Sequence, residues 1–290
     1  MKRYIKSAIS DIAAEPEDIK IEVAESTTSA NVLLYLIDTS DPFSSVPQYA
    51  ASNPNMPIEQ LQELAKSGTV YARRGVAQNP NTPLDVLNAL SHDPDDVVRV
   101  RIASRQDIPS GIINRLHNDS DWLVRKAAIT NPILPESVLW GIVQQKNKRD
   151  DYEYVIISPN ATSSMVSAMI DLAVSDELDY PFNWTLCNRI MYYPKLQYAD
   201  LLRLADCGIL NYPDLASSYV LKVLQDMPEG YDITEALKNI WESADYGTCT
   251  VIADSPDTPT EFLQYLYENI TNERITNHVV ANLNKRGIEL

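Results

Sequence analysis

Two sets of side chains in this 290-residue sequence have the types and the spacing to bind a partner. The first is a row of arginines that recur every 26 residues, Arg73, Arg99 and Arg125. A guanidinium can form two parallel hydrogen bonds with a carboxylate or a phosphate. The second set mixes acidic and aromatic residues of the second half of the chain: Asp176, Glu177, Asp179, Tyr180, Phe182, Trp184 and Tyr231. Carboxylates steer and orient a basic partner, and aromatic rings serve as anchors at interfaces.

The arginine row can be explained in two ways. Asp93 and Asp119 stand six residues before Arg99 and Arg125, so we expect an Asp–Arg ladder that links the loop of one unit to the helix of the next. The alternative is a contact with nucleic acid, which needs a basic stripe on the surface. Such a stripe would combine the row with its basic neighbours Arg74, Arg101, Arg105 and Lys126.

The arginines belong to a pattern that is written four times between residues 50 and 139. Its aligned small or apolar residues lie 26 positions apart, at Ala51, Ala77, Ala103 and Ile129. An Asn-Pro turn follows three of them, at Asn53, Asn79 and Asn131. Asparagine in a turn commonly bonds the local backbone, so we assign these three a structural role. A fixed period of this size is typical of stacked two-helix units, because one unit cannot bury its apolar face alone.

One unit shows how the sequence specifies its two helices. The Thr82 hydroxyl is the expected cap of the first helix, with Pro83 at the first helical position. The buried stripe of this helix is predicted at Leu84, Leu87 and Leu90, with Val86 beside them. The apolar side of the second helix is predicted at Val97, Val98, Ile102 and Ala103. Each unit should therefore consist of two short antiparallel helices.

The segment Val76–Leu87, followed by Asp95–Arg99, resembles the variant leucine-rich repeat and, more broadly, HEAT-like helical repeats. The likeness covers residues 18–145 well and the rest in outline. It implies a right-handed superhelix that acts as a recognition surface or scaffold, without a cofactor. Two features differ from the variant leucine-rich repeat: the period here is slightly long, and the cysteine cluster that precedes some members is absent.

We therefore predict an all-α fold, an α-α superhelix (solenoid) of two-helix HEAT-like repeats. It should be regular in residues 50–145 and irregular after them. Residues 1–49 would form an N-terminal cap and a degenerate first repeat. Residues 146–290 would form divergent, acidic, enlarged repeats and a C-terminal cap, and the whole chain would be one continuous solenoid domain.

The charge of the chain is concentrated in its second half. The net charge is −16, of which residues 1–150 carry −3 and residues 151–290 carry −13. A surface that binds phosphates needs excess basic charge, so this balance disfavours nucleic acid and favours a basic protein as the partner. The aromatic rings of the enlarged repeats have a second explanation, because they could instead fill a wider core.

Motifs of catalysis and of membrane insertion are missing from the sequence. It has no glycine-rich phosphate loop, no serine nucleophile elbow and no pair of histidines at metal-binding spacing. Its three cysteines are too far apart for a metal site, and we expect them to be reduced core residues. No apolar run is long enough to span a bilayer, and the first residues lack the apolar region of a signal peptide. We therefore expect a cytoplasmic protein.

These observations favour a non-enzymatic protein that binds another protein, a basic one, through an acidic-aromatic surface of its C-terminal half. We expect no cofactor, metal or small-molecule ligand. Two alternatives stay open. The first is an acidic inhibitor that imitates nucleic-acid phosphates and occupies a nucleic-acid-binding protein. The second is a HEAT-repeat enzyme acting on nucleic acid, similar to some DNA glycosylases, that would use the arginine row. A purely structural role within a larger assembly is a further interpretation.

Overall fold

The computed structural model describes residues 12–41, 43–174, 182 and 184–289. All regular structure within these residues is helical, with nineteen α-helices, two short 3₁₀ segments and no β-strand. The first nine helices are α1 Glu17–Ser26, α2 Ala30–Thr39, α3 Val46–Ser52, α4 Ile58–Ser67, α5 Val70–Gln78, α6 Leu84–Leu90, α7 Asp96–Ala103, α8 Ser110–Leu116 and α9 Trp122–Ile129. The others are α10 Glu136–Val143, α11 Tyr152–Ile157, α12 Ser163–Val174, α13 Trp184–Met191, α14 Tyr198–Arg203, α15 Pro213–Gln225, α16 Thr234–Ser243, α17 Tyr246–Asp254, α18 Thr260–Asn269 and α19 Glu273–Lys285.

The contacts of the chain divide it into two compact units. The first unit is Met1–Leu139 with Ser158–Asn160, and the second is Trp140–Ile157 with Ala161–Leu290. In the first unit the odd-numbered helices α1 to α9 pack side by side in chain order, and even-numbered helices pack on them. In the second unit the odd-numbered helices α11 to α19 follow one another in the same way. This consecutive packing is that of an α-α solenoid and confirms the predicted fold class. That the chain forms one continuous domain stays a prediction.

Close packing of the odd-numbered helices depends on small residues. The aligned residues Ala51, Ala77 and Ala103 have no exposed surface. Gly75 is a further close contact that the alignment did not predict: a Cβ there would overlap the Gln48 carbonyl oxygen and lie 2.7 Å from the Cβ of Ala51. Helices α3 and α5 therefore approach more closely than any side chain at position 75 would permit.

The start of α6 differs from the prediction. The Thr82 hydroxyl does not cap the helix but donates a buried hydrogen bond of 2.6 Å to the Val76 carbonyl, and Pro83 occupies the cap position. Leu84 is half exposed, whereas Val86, Leu87 and Leu90 are buried. A side chain at the first helical position points back beyond the end of its helix, so Leu84 does not reach the core.

Other sequence expectations concern the cysteines, Val97, metal binding and the membrane. Cys187, Cys207 and Cys249 are buried, and none of them forms a disulfide within the described residues. Val97 is half-buried and lies outside the core, although Val98 beside it is fully buried. In the described part of the chain, no three His, Cys, Asp or Glu side chains are grouped to hold a metal ion. None of the helices described here is long and apolar enough to cross a membrane.

Candidate functional site

The arginine row forms a continuous ladder with two aspartates of the first unit. Nε and Nη2 of Arg73 donate to the Asp93 carboxylate at 2.7 and 3.0 Å. The same atoms of Arg99 donate to the Asp119 carboxylate at 2.8 and 2.9 Å. Each aspartate also accepts a bond at its backbone carbonyl, from Nη1 of Arg99 at 2.8 Å for Asp93 and from Nη1 of Arg125 at 3.1 Å for Asp119. The loop before α7 and the loop before α9 are thus each hydrogen-bonded to the odd-numbered helices that precede and follow them.

The direction of the pairing differs from what the sequence spacing suggested. The spacing related each aspartate to the arginine six residues later, but the carboxylate pairs with the arginine 20 residues earlier. The backbone N–H groups of Asp95 and Asp121 donate to the carboxylates of Asp93 and Asp119, at 2.9 Å each. These bonds hold each carboxylate toward the preceding helix, so only the backbone carbonyl of the aspartate bonds the later arginine.

The Arg99–Asp119 pair is mostly buried, yet both of its groups stay charged. The side chains of Arg99 and Asp119 are 13% and 11% exposed. Burial alone raises the pKa of Asp119, but the hydrogen bonds from Arg99 and from the Asp121 amide outweigh it, and the pKa is lowered. The hydrogen bond to Asp119 also raises the pKa of Arg99. Both groups are therefore charged at neutral pH.

We expect Arg99→Gln to lower the free energy of unfolding by about 2 kcal/mol at pH 7, because the Asp119 carboxylate would remain mostly buried without its cation. The contribution of Asp119 is present above its unfolded-state pKa and is lost as the pH falls through its lower folded-state pKa. The deficit of the variant should therefore shrink below about pH 4. Urea unfolding at pH 7 and pH 3.5 measures this. Arg274→Gln, which removes an exposed arginine of α19, is the matched control; an equal loss in both variants would contradict a structural ladder.

Two of the four other residues of the predicted basic stripe, Arg74 and Arg105, also form ion pairs. Arg74 binds both carboxylate oxygens of Asp95, at 2.9 and 2.8 Å. Arg105 binds the Asp107 carboxylate and donates from Nη1 to the carbonyls of Ala77 and Asn79. These guanidinium groups would have to give up a carboxylate before they could bind a phosphate, which counts against the nucleic-acid interpretation of the row.

The buried asparagines form a second ladder between repeats. The Nδ2 atom of Asn79 donates to the carbonyls of Ala51 and Asn53, at 2.8 and 2.7 Å. Asn131 bonds the carbonyls of Ala103 and Arg105 in the same way. The Oδ1 atom accepts locally, as the sequence led us to expect, but the amide reaches the preceding repeat. Both ladders connect consecutive repeats through hydrogen bonds within the chain.

The structure separates the acidic and aromatic residues that the sequence analysis grouped. Asp176, Glu177, Asp179 and Tyr180 lie outside the described residues. Phe182 is placed in the core rather than on the surface: its ring is fully buried. Trp184 at the start of α13 is 46% exposed, and Tyr231 before α16 is 44% exposed. These two lie on different elements and form no ring contact with each other; Tyr231 packs edge-on against Tyr198 at 5.2 Å.

Helices α16 and α18 carry an acidic surface that the sequence analysis did not single out. We call it the α16–α18 face, and it consists of Glu235, Lys238, Glu242, Glu261, Tyr265 and Glu268. The α16 members follow a helical spacing of three and four residues, as do those of α18. The Lys238 ammonium lies 4.7 Å from the centroid of the Tyr265 ring and 3.5 Å from Glu235. The lysine therefore joins the two stripes into one surface.

Acidic residues far outnumber basic ones in this region, although Glu235 lies beside Lys238 and Asp254 forms a 2.9 Å hydrogen bond with His278. Between Glu229 and Asn269 the only basic residue is Lys238, against nine acids: Glu229, Asp232, Glu235, Glu242, Asp245, Asp254, Asp257, Glu261 and Glu268. Glu242, Glu261 and Glu268 form no ion pair with any residue that the structure describes. Exposed rings lie in the same stretch, at Tyr231, Tyr246, Tyr265 and Tyr267. Counting charge helix by helix, rather than over each half of the chain, would have found this region from the sequence.

Comparison with known proteins bears on the repeats of the first unit. No curated protein and no solved structure matches the chain. Residues 72–95, which contain Arg73, Asn79 and Asp93 of the two ladders, match the model of the family described as leucine rich repeat variant, a family of helical repeats.

Proposed function

We propose that this chain is a non-enzymatic helical-repeat scaffold of the cytoplasm that binds a basic protein through the α16–α18 face. Helical repeats present extended surfaces to partners, which supports the general class. We place the binding site on this face because residues 229–269 contain nine acidic residues and one lysine, together with exposed tyrosines.

The composition of the face suits a basic partner for two physical reasons. The clustered carboxylates create a negative electrostatic potential, which raises the rate at which a cationic surface meets the face. Tyrosine rings add apolar contact area with little loss of conformational entropy, and they can hold a cation over their face. The contact between Lys238 and Tyr265 shows that this ring is already placed to accept an ammonium group.

The test compares what two matched variants retain from native lysate. We expect Glu242→Gln/Glu261→Gln/Glu268→Gln to weaken the binding of basic proteins by about tenfold or more, because three carboxylates are lost without a change of shape. Glu22→Gln/Glu59→Gln/Asp85→Asn makes the same change of charge in the first unit and should leave binding unchanged. Retained proteins are quantified by mass spectrometry at low and moderate salt.

Three results would contradict the proposal. Equal losses in both triple variants would mean that net charge alone attracts basic proteins. Loss only in a further variant, Asp176→Asn/Glu177→Gln/Asp179→Asn, would move the site to the segment first named from the sequence. Nucleic acid that is retained by the chain and lost with Arg99→Gln would favour the arginine row instead. If nucleic acid displaces the retained protein, the partner is a nucleic-acid-binding protein and the inhibitor interpretation gains support.

A further inference from the structure

The odd-numbered helices of the first unit have a second surface, which faces away from the core. In α7 the residues Val98, Ile102 and Ala103 are buried, whereas positions 97, 100 and 101 on the other side are half-buried. Because α5, α7 and α9 pack side by side with a 26-residue register, equivalent residues line up across the three helices. We call this surface the α5–α9 face, and it consists of Tyr71, Val97, Val100, Arg101, Leu123 and Lys126.

Arg101 is unlike the arginines of the ladder. Its Nε and Nη1 atoms are buried and have no hydrogen-bond partner. Asp95 lies near it, but both oxygens of that carboxylate are bound by Arg74. Burial and the neighbouring Arg74 lower the pKa of Arg101. The guanidinium is thus a cation whose charge no carboxylate of the described chain balances through a direct contact.

Lys126 adds a second uncompensated cation to the face, since it forms no ion pair within the described residues. The same face carries apolar side chains, the half-buried Val97 and Val100 and the 40% exposed Leu123. A face of this kind offers carboxylates a charge to bind and offers apolar side chains a surface to cover. It is chemically the opposite of the α16–α18 face.

The unpaired guanidinium also costs stability in the free protein. A charge that is partly removed from water without a partner is unfavourable, and its interaction with an incoming anion is correspondingly less screened than at an open surface. A charged side chain that destabilises the free protein but would be stabilised by a bound ligand is typical of a binding site. The ladder arginines, in contrast, are satisfied within the chain.

We propose that the α5–α9 face binds an acidic peptide segment of a protein partner. Aspartate or glutamate side chains of the segment lie at Arg101 and Lys126, and its apolar side chains cover Val97, Val100 and Leu123. Nucleic acid suits the face less well. A phosphate backbone has no apolar groups for the valines, and the ring of Tyr71, which a base would need for stacking, already carries Arg74 at 5.2 Å. This inference does not rest on the proposed function, because it concerns another unit and a partner of opposite charge.

The experiment selects twelve-residue peptides from a random phage-displayed library on the full-length chain, and then measures their affinity for variants. We expect a class of peptides rich in Asp and Glu beside Leu or Phe. Arg101→Met should weaken their binding about thirtyfold, because it removes the cation that the carboxylate binds. Arg115→Met removes an exposed arginine of α8 and should leave binding unchanged. Lys126→Met should weaken the same peptides.

Unfolding cannot account for the expected loss. Replacing an unpaired, partly buried guanidinium with an apolar side chain should leave the melting temperature of Arg101→Met equal to or above that of the parent. The proposal is overturned if no selected peptide depends on Arg101, or if the dependent peptides are not acidic. It is also overturned if a twenty-residue thymidine oligonucleotide binds the chain with the same dependence on Arg101.

Discussion

Replacing Asn79 with aspartate is expected to lower the free energy of unfolding by about 3–5 kcal/mol at pH 7. Asn79 has no exposed surface, and its Nδ2 atom donates to two backbone carbonyls of the preceding repeat, at 2.8 and 2.7 Å. Aspartate has nearly the same shape but no donor. Its charge would be buried against the carbonyl oxygens of Ala51 and Asn53, which would lose their partner at the same time.

Acid should partly rescue this variant. Burial beside carbonyl oxygens raises the pKa of a carboxyl group, so the introduced aspartate would be protonated at a higher pH than in the unfolded chain. The protonated form restores one donor, and the deficit relative to the parent should be smaller at pH 5 than at pH 7. Urea unfolding followed by circular dichroism at both pH values gives the comparison.

The control is Asn114→Asp, which makes the same chemical change at an exposed position of α8. A substitution of this kind usually changes stability by no more than about 0.5 kcal/mol. Similar deficits at positions 79 and 114 would show that the bonds of Asn79 to the preceding repeat contribute little, and that apolar packing alone holds the repeats together.

The asparagine ladder was only partly predictable from the sequence. The positions of its residues could be predicted, because Asn53, Asn79 and Asn131 recur with the repeat. The partner of each amide was not, since a turn asparagine is expected to bond its own backbone. The structure adds a bond to residues 26 and 28 positions earlier, so the repeat period itself is the distance that the side chain bridges. At Arg105 the alignment has no asparagine, yet the guanidinium bonds the equivalent two carbonyls.

The fold could be predicted because the repeat period is set by many residues at once. The contacts of a single side chain were harder to predict, as the hydroxyl of Thr82 shows. A threonine before Pro83 can cap the helix that follows or bond the helix that precedes it, and in the structure its hydroxyl bonds the Val76 carbonyl. For the same reason, the sequence wrongly placed Phe182 on the surface. A ring beside acidic residues looks identical in sequence whether it faces the core or the solvent, and the structure buries it completely.

The full extent of the two candidate surfaces could not be predicted from the sequence, because it depends on which helices pack next to each other. Glu242 and Glu261 are separated by a whole helix in sequence, and the packing of α16 against α18 makes them part of one face. Arg101 has the same residue type as its neighbours Arg99 and Arg105, and nothing in the spacing shows that it alone of the three lacks a carboxylate partner in the described structure. Pairing of charges is settled by tertiary contacts, which sequence spacing along one helix does not specify.

Replacing Gly75 with alanine is expected to lower the free energy of unfolding by about 2–3 kcal/mol, although alanine favours a helix by about 1 kcal/mol over glycine. The new Cβ would overlap the Gln48 carbonyl oxygen and lie 2.7 Å from the Cβ of Ala51. The obstacle is largely backbone, which cannot rotate away as a side chain could. Helices α3 and α5 would have to separate, and the packing around both would loosen.

Gly111→Ala makes the same change in α8, where a Cβ would meet nothing within 4 Å. It should stabilise the chain by about 0.5–1 kcal/mol, so the two substitutions should have opposite signs in parallel urea unfolding curves. Adding Ala51→Gly to Gly75→Ala removes the clash between the two Cβ atoms but not the one with the Gln48 carbonyl. The double variant should therefore recover only part of the loss. Full recovery would mean that α3 can shift along α5 at little cost, and that side-chain contacts rather than the backbone set their separation.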